Sequence, residues 1–385
     1  MTTTQPTTQP IDPTGVSTDT GPENLGTIII GAGQTGLSTA YFLGKAGLPC
    51  VVIDEHERVG DQWRARYDSL RLNSPARYDA LPGMRFPAPP GSYPSGRDMA
   101  DYLESYVAEM GIRVMSGMPV SRVQRQADGS WAVTVGGESL LANNVVVACG
   151  SERLPKVPEF GADLDPGIRQ VHSSDYRNPD QLLPGPVLVV GAGQSGADIA
   201  LELRAAGFET TLAGIVPGEV PVPFGSRRSR AAFPLLWFAA NHVLTLRTPI
   251  GRKMQPAVRS HGAPLVRVRR PELDAAGVRR IESRAVRAQG GLPVLESGEV
   301  LDVANVVWCT GYRRDFGFIE PSVTGPDGWP LDDGGVVASA PGLFFMGLLF
   351  QRGFYSMLIG GAWRDASFIA DQIAALERSH SRLAA

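Results

Sequence analysis

From Thr27 to Asp54 the chain reads TIIIGAGQTGLSTAYFLGKAGLPCVVID, and a near-copy, VLVVGAGQSGADIALELRAAGFETTLAG, begins at Val187. In each copy a short apolar run stops at a G-x-G-x-x-G turn, a helical pattern follows, and a second apolar run begins after another glycine. The glycines have separate tasks. Gly31 allows the tight turn, Gly33 lets backbone N–H groups approach a pyrophosphate, and Gly36 lets helix pack on strand. Parallel strands need a helical crossover, so a chain carrying this unit twice is committed to an α/β fold with two Rossmann-like dinucleotide-binding domains.

The repeat covers more than the turns. The run NVVVACG ending at Gly150 recurs as NVVWCTG ending at Gly311. Gly191 follows Gly31 by 160 positions and Gly311 follows Gly150 by 161, so two whole units lie in register. They differ at one telling place. Asp54, 18 residues beyond Gly36, can accept hydrogen bonds from a ribose, whereas the matching strand of the second unit ends Leu212-Ala213-Gly214-Ile215 with no acid. A carboxylate there would repel a 2′-phosphate, so its absence fits NADP(H). Arg227, Arg228 and Arg230 are candidates for that phosphate, a solvated basic loop being the other reading.

At 385 residues the chain is long for one compact core and fits two domains, one large barrel staying open on length alone. A net charge of −3 and a pI near 6.0 make no electrostatic case for nucleic acid or membrane. Ala231 to Leu246 is the most apolar stretch, but it carries Asn241 and His242 and reads as a buried or lid helix. Cys50, Cys149 and Cys309 form no C-x-x-C pair and the five histidines show no metal-ligand spacing, so reduced thiols, a cytoplasmic location and no metal are expected. Residues 1–24, rich in Thr, Pro and Gln, read as a disordered tail. Helices are expected over Ser95 to Met110, Ala197 to Ala206 and Ala362 to Leu376. The last of these follows a strand and a glycine loop that return to complete the first sheet.

Seven motifs occur in order: GAGQTG at Gly31, VVIDEHERVGDQW ending at Trp63, RYDSLRLNSP from Arg66, YPSGRDMADYLESYV from Tyr93, VHSSDYRNP from Val171, GAGQSG at Gly191, and WCTGYR from Trp308. In this order the chain resembles the flavin-containing monooxygenase family, including its bacterial members and the plant enzymes of auxin synthesis, from about Gly26 to about Ala375. The resemblance implies a glutathione-reductase-like FAD domain in two parts, 25–180 and 312–385, with an NADPH domain, 181–311, inserted. It assigns Gly31, Gly33, Gly36 and Asp54 to the pyrophosphate and ribose of FAD and puts Trp63 near the flavin. It assigns Gly191, Gly193, Ser195 and Gly196 to NADPH, and Gln34, Glu55, Gln62, Gly150, Gln194, Thr310, Gly311, Gly347 and Gln351, with Arg227 and Arg228, are further expected cofactor-binding residues. Asn73 falls where the family keeps a catalytic asparagine near flavin and nicotinamide; a turn residue before Ser74-Pro75 is the plainer reading.

There are departures. His172 and Tyr176 keep the spacing of the signature F-x-G-x-x-x-H-x-x-x-Y, but Pro166 and Ile168 replace its Phe and Gly. Gly60-Asp61-Gln62-Trp63 stands for G-G-x-W, and Cys149-Gly150 for a Thr-Gly turn. His172 is read as orienting the interdomain linker. The chemistry implied is hydride transfer from NADPH to FAD, then oxygenation of a small organic substrate by O2 through a C4a-(hydro)peroxyflavin, as N- or S-oxygenation or oxidative decarboxylation of a 2-oxo acid. A reductase passing electrons to a protein or small acceptor, a Baeyer-Villiger monooxygenase, and a non-enzymatic redox sensor are the alternatives. Residues 217–275, outside every motif, are expected to form a lid or to set specificity, and a homodimer stays open.

Overall fold

The computed structural model describes residues 24–151, 153–220, 224–261 and 264–384. The expected tail, apart from Asn24, lies outside the described residues; Asn24 itself bridges Leu141.

The first unit is a five-stranded parallel sheet in the order β18 (Leu343–Phe345), β7 (Asn144–Val147), β1 (Thr27–Ile30), β2 (Cys50–Ile53), β3 (Val114–Met115). Side chains alternate across a strand, and both faces are covered. Ile29, Val52 and Val146 pack against α1 (Gln34–Lys45), α3 (Gly96–Met110) and α8 (Trp363–Ala384). Ile28, Ile30, Val51 and Val145 face an antiparallel meander, β4 (Val120–Arg125), β5 (Trp131–Val135) and β6 (Glu138–Ala142). Each such buried side chain is worth about 1.5–3 kcal/mol of transfer free energy. A short strand from the return segment, β17 (Ile319–Glu320), extends the meander beside β4.

Helix α3 starts one residue later than expected because Ser95 is its cap. The Ser95 hydroxyl accepts from the Asp98 N–H at 3.1 Å, and the Asp98 carboxylate accepts from the Ser95 N–H at 2.7 Å. Gly111, with φ of 62°, ends it.

The second unit repeats the plan: β12 (Arg279–Ile281), β11 (Thr210–Ala213), β10 (Val187–Val190), β15 (Asn305–Trp308), β9 (Arg169–His172), all parallel. Its helix α4 (Gln194–Ala205) begins inside the glycine turn, three residues before the expected start. A hairpin, β13 (Ala285–Gln289) and β14 (Leu292–Leu295), flanks the sheet. The registers coincide, Thr27 standing opposite Cys50 and Asn144 as Val187 stands opposite Thr210 and Asn305.

The outer place beside the closing strand is filled differently in the two sheets. In the first, β18 returns from far downstream. In the second, β9 precedes the unit, so Arg169–His172, upstream of position 181, hydrogen-bonds as part of the second sheet. The two linkers meet as a small antiparallel pair, β8 (Leu154–Pro155) with β16 (Tyr312–Arg313).

Between β11 and β12 lies an insert of α5 (Arg227–Phe238), a π-turn over Ala239–Val243, α6 (Pro249–His261) and α7 (Arg270–Ala275). Helix α2 (Asp61–Arg64) is a single turn after β2. No helix among the described residues is long and apolar enough to cross a membrane, and none of their His, Cys, Asp and Glu side chains are grouped to hold a metal.

Candidate active site

The first glycine turn opens onto a cleft of about 490 Å³ at the carboxyl ends of β1 and β2. Gly31, Gly33, Gln34, Asp54, Glu55, Gln62, Trp63, Gly150 and Gly347 line it. Gly36 serves beneath, since a Cβ there would collide with the Gly31 carbonyl. Gly31 holds φ of 110°, and its own Cβ would stand 2.8 Å from the Ala148 carbonyl.

Asp54 anchors the cleft. Its carboxylate accepts from the Ala32 N–H at 2.5 Å, the His56 N–H at 2.9 Å and His56 Nδ1 at 2.7 Å. Burial alone would raise the carboxyl, but these hydrogen bonds outweigh it and hold Asp54 below the ordinary value. The same hydrogen bond raises the imidazole of His56. The residues fit a bound dinucleotide. The Trp63 indole N–H is buried without an acceptor among the described residues, and the nearest atom to a Cβ on Gly33 is Gln62 Nε2 at 3.6 Å.

The second turn has the same architecture with one substitution of purpose. A Cβ on Gly196 would collide with the Gly191 carbonyl, and one on Gly193 would meet nothing within 4 Å. Gln194 accepts from the Val266 N–H at 2.8 Å, leaving its buried Nε2 without a partner among the described residues. The shared register puts Gly214 at the place of Asp54. There a Cβ would stand 2.7 Å from the Ala192 nitrogen, the counterpart of the N–H that Asp54 accepts in the first unit. So the second cradle has no acid and no room for one.

Other expected residues fall elsewhere. Gln351 is buried and donates to the Phe345 carbonyl at 2.7 Å, shaping the loop behind Gly347 rather than lining the cleft. Thr310 donates to the Lys156 carbonyl, joining the two linkers. Asn73 is exposed and makes no hydrogen bond among the described residues, and Ser195 and Gly311 lie outside the first cleft. Arg227 and Arg228 are exposed in the first turn of α5, a helix seated on Tyr78 through Phe233 and Trp237.

His172 is held on both ring nitrogens. Nδ1 accepts from the Ser174 N–H at 3.1 Å, so Nε2 carries the proton and donates to the Gly311 carbonyl at 3.1 Å. Burial lowers its pKa, consistent with a neutral ring that orients the linker.

Sequence reasoning missed several lining residues: His56, Arg66, Ser151, Arg153, Ser174, Tyr312, Ser356 and Met357. Arg66 and Arg153 bring positive charge to the cleft, and both were visible as cations within three residues of a motif glycine or tryptophan. RYDSLRLNSP proves to be a strap between the units. Arg66 donates to the Tyr312 hydroxyl at 2.9 Å, the Tyr67 hydroxyl donates to Asp198 at 2.9 Å, and Asp68 accepts from Asn178 at 2.9 Å. Asp198, on α4, also pairs with Arg267 at 2.6 Å.

Comparison with known proteins agrees with this architecture. Residues 28–216 match the model of the pyridine nucleotide-disulphide oxidoreductase family. A CzcO-like oxidoreductase of Geobacillus kaustophilus is 33% identical over 355 residues, covering 90% of this chain and 97% of the relative. The chain belongs to the family of CzcO-like oxidoreductases. Its relatives and structural neighbours include flavin monooxygenases, and bacillithiol disulfide reductases of Staphylococcus aureus and Bacillus cereus share the fold. Indole-3-pyruvate monooxygenase YUCCA1 of Oryza sativa subsp. japonica is 37% identical over 186 residues, 46% of this chain and 45% of that one. The flavin-containing monooxygenase of Stenotrophomonas maltophilia superposes with a TM-score of 0.74 at 25% identity, covering 92% of this chain and 99% of that one. This family member is therefore an enzyme of flavin-monooxygenase type, a class that depends on FAD and NADP.

Proposed function

We propose that the enzyme is an NADPH-dependent FAD monooxygenase that inserts one oxygen atom of O2 into a small organic substrate by N- or S-oxygenation, or by oxidative decarboxylation of a 2-oxo acid. The observation that carries the ordering of the cofactors is the difference between the registered cradles: Asp54 in the first, Gly214 in the second. A ribose diol is welcome beside the carboxylate, and a 2′-phosphate only where no carboxylate stands. FAD is accordingly assigned to the cleft of Gly31, Asp54 and Trp63, and NADPH to the turn of Gly191, Gly193 and Ser195, with Arg227 and Arg228 offered to its 2′-phosphate. When bound, FAD supplies hydride acceptance and oxygen activation. The chain's own part is to orient the two nucleotides, keep water out and offer donors such as the Trp63 indole and the free Asn73 amide.

Thiol chemistry is the weaker reading. Burial raises all three thiols, Cys50 to about 11, so none is an activated thiolate, and no C-x-x-C pair exists.

The test is to purify the protein, record the flavin spectrum, reduce it anaerobically with NADPH or NADH, and admit ¹⁸O2 with amine, sulfide and 2-oxo acid substrates. Faster reduction by NADPH and label in a product are expected. Reduction without label in any product would turn the reading toward a reductase. The Asn73 assignment predicts that Asn73→Ala oxidises NADPH with less product and more hydrogen peroxide.

A further inference from the structure

The loop after β18 forms one wall of the flavin cleft through Gly347, Leu349, Ser356 and Met357. Within it Phe350 takes φ of 49°, the left-handed region, and among the described residues no other non-glycine does so. A bulky residue held there costs on the order of 1–3 kcal/mol and persists only when its surroundings enforce it. Phe350 is fully buried, so the wall cannot relax by turning this residue outward.

The enforcing contacts come from the insert of the other unit. Gln255 Nε2 donates to the Phe350 carbonyl at 2.9 Å, and Arg259 Nε donates to the Leu349 carbonyl at 3.1 Å. The two donors are four residues apart on α6 and therefore share a face. Upstream in the insert, the Leu246 N–H donates to the Arg352 carbonyl at 2.9 Å, and the Leu244 carbonyl accepts from the Phe354 N–H at 2.8 Å. Arg259 is itself fixed, its guanidinium lying 4.3 Å from the centre of the Trp329 ring, which Arg314 approaches at 4.2 Å.

We propose that α6 is a clamp on the flavin-cleft wall, with Gln255 and Arg259 as positioning residues that hold Leu349 and Phe350 in their strained conformation. The inference rests on the assignment of the first cleft to FAD. It gives the insert between β11 and β12 a second role beside specificity: the unit that carries the nicotinamide nucleotide shapes the pocket of the flavin.

The test uses full-length protein carrying Arg259→Met, Arg259→Lys or Gln255→Ala. Hydrogen exchange followed by mass spectrometry should show amides in 347–354 of Arg259→Met and Gln255→Ala exchanging about tenfold faster, the factor for losing one such bond. Amides of 31–36 should not change. Arg259→Lys, which keeps a donor, should restore most of the protection. In the holoenzyme the visible flavin band should shift and FAD should dissociate more readily, while the KM for NADPH stays within about twofold, because the second cradle is untouched. Unchanged exchange in 347–354, or faster exchange spread over the whole chain, overturns the clamp. If the protein takes up no FAD at all, the functional reading fails while the exchange data still judge the clamp.

Discussion

At the residue scale, the two glycine turns separate what the fold needs from what a ligand needs. Gly36 and Gly196 lie against the carbonyls of Gly31 and Gly191, whereas Gly193 has open space where a Cβ would go. Gly193→Ala should therefore leave thermal stability within about 1 °C of wild type, the effect of a small surface change, yet, on the proposed assignment of this turn to NADPH, raise the KM for NADPH roughly tenfold by keeping the pyrophosphate from the backbone. Gly196→Ala should instead lower the yield of folded protein. Equal Tm losses in the two variants would refute the distinction. The pair Asp54 and His56 makes a pH prediction. Asp54 is held below 3.8, so its contribution to stability is present above that value and fades as pH falls through the depressed pKa. His56 is raised above 6.5, so its contribution is complete below 6.5 and fades as pH rises through the raised pKa. The difference in Tm between wild type and His56→Gln should be largest in the window between the two and shrink on its alkaline side; a difference that is constant with pH contradicts the ion pair. Asp54 was legible in the sequence because it ends a strand at a fixed distance from a glycine turn, but His56, two residues on, carried no pattern of its own.

Elements were legible where their causes are local. Glycine turns, the capping box at Ser95 and the apolar strands all act within a few residues, so β1, β2, β10, β11 and α3 were expected nearly where they lie. Strand β9 was not, because its partner β15 is more than a hundred residues away and nothing in Arg169–His172 names it. The strap at 66–69 was seen only as a polar motif, and its meaning depends on α4. There Asp198, buried between the Tyr67 hydroxyl and the Arg267 guanidinium, joins the first unit to the second. Tyr67→Phe removes one hydrogen bond and should cost about 1 kcal/mol in urea unfolding. Asp198→Asn leaves a largely buried guanidinium without its counter-charge and should cost about 3–5 kcal/mol. The reverse ranking would mean that the pair is too well hydrated to act as a junction.

For the whole molecule, the question is whether two units built on the same plan behave as one body. Chains of two domains commonly unfold in separate steps, since few contacts cross between domains. Here the crossings are spread around the boundary. The strap binds α4 and the linkers, β8 pairs with β16, and the insert of the second unit grips the loop at 347–354 of the first. Tyr67 even takes its place in the apolar core of the second unit, beside Val189 and Leu203. Contacts of this kind were beyond the reach of the sequence, because each joins residues whose local patterns are complete without the other. They make a single cooperative transition the expected outcome: one calorimetric endotherm for the wild-type chain, with the calorimetric and van't Hoff enthalpies in agreement. Cutting the strap and the clamp together, in Tyr67→Phe with Arg259→Met, should split that endotherm into two, the second unit separating from the first, whereas either substitution alone lowers Tm without splitting it. Two peaks already present in the wild type would mean that these ties are too weak to set the relative placement of the cradles. The proposed hydride transfer would then need a ligand to bring them together.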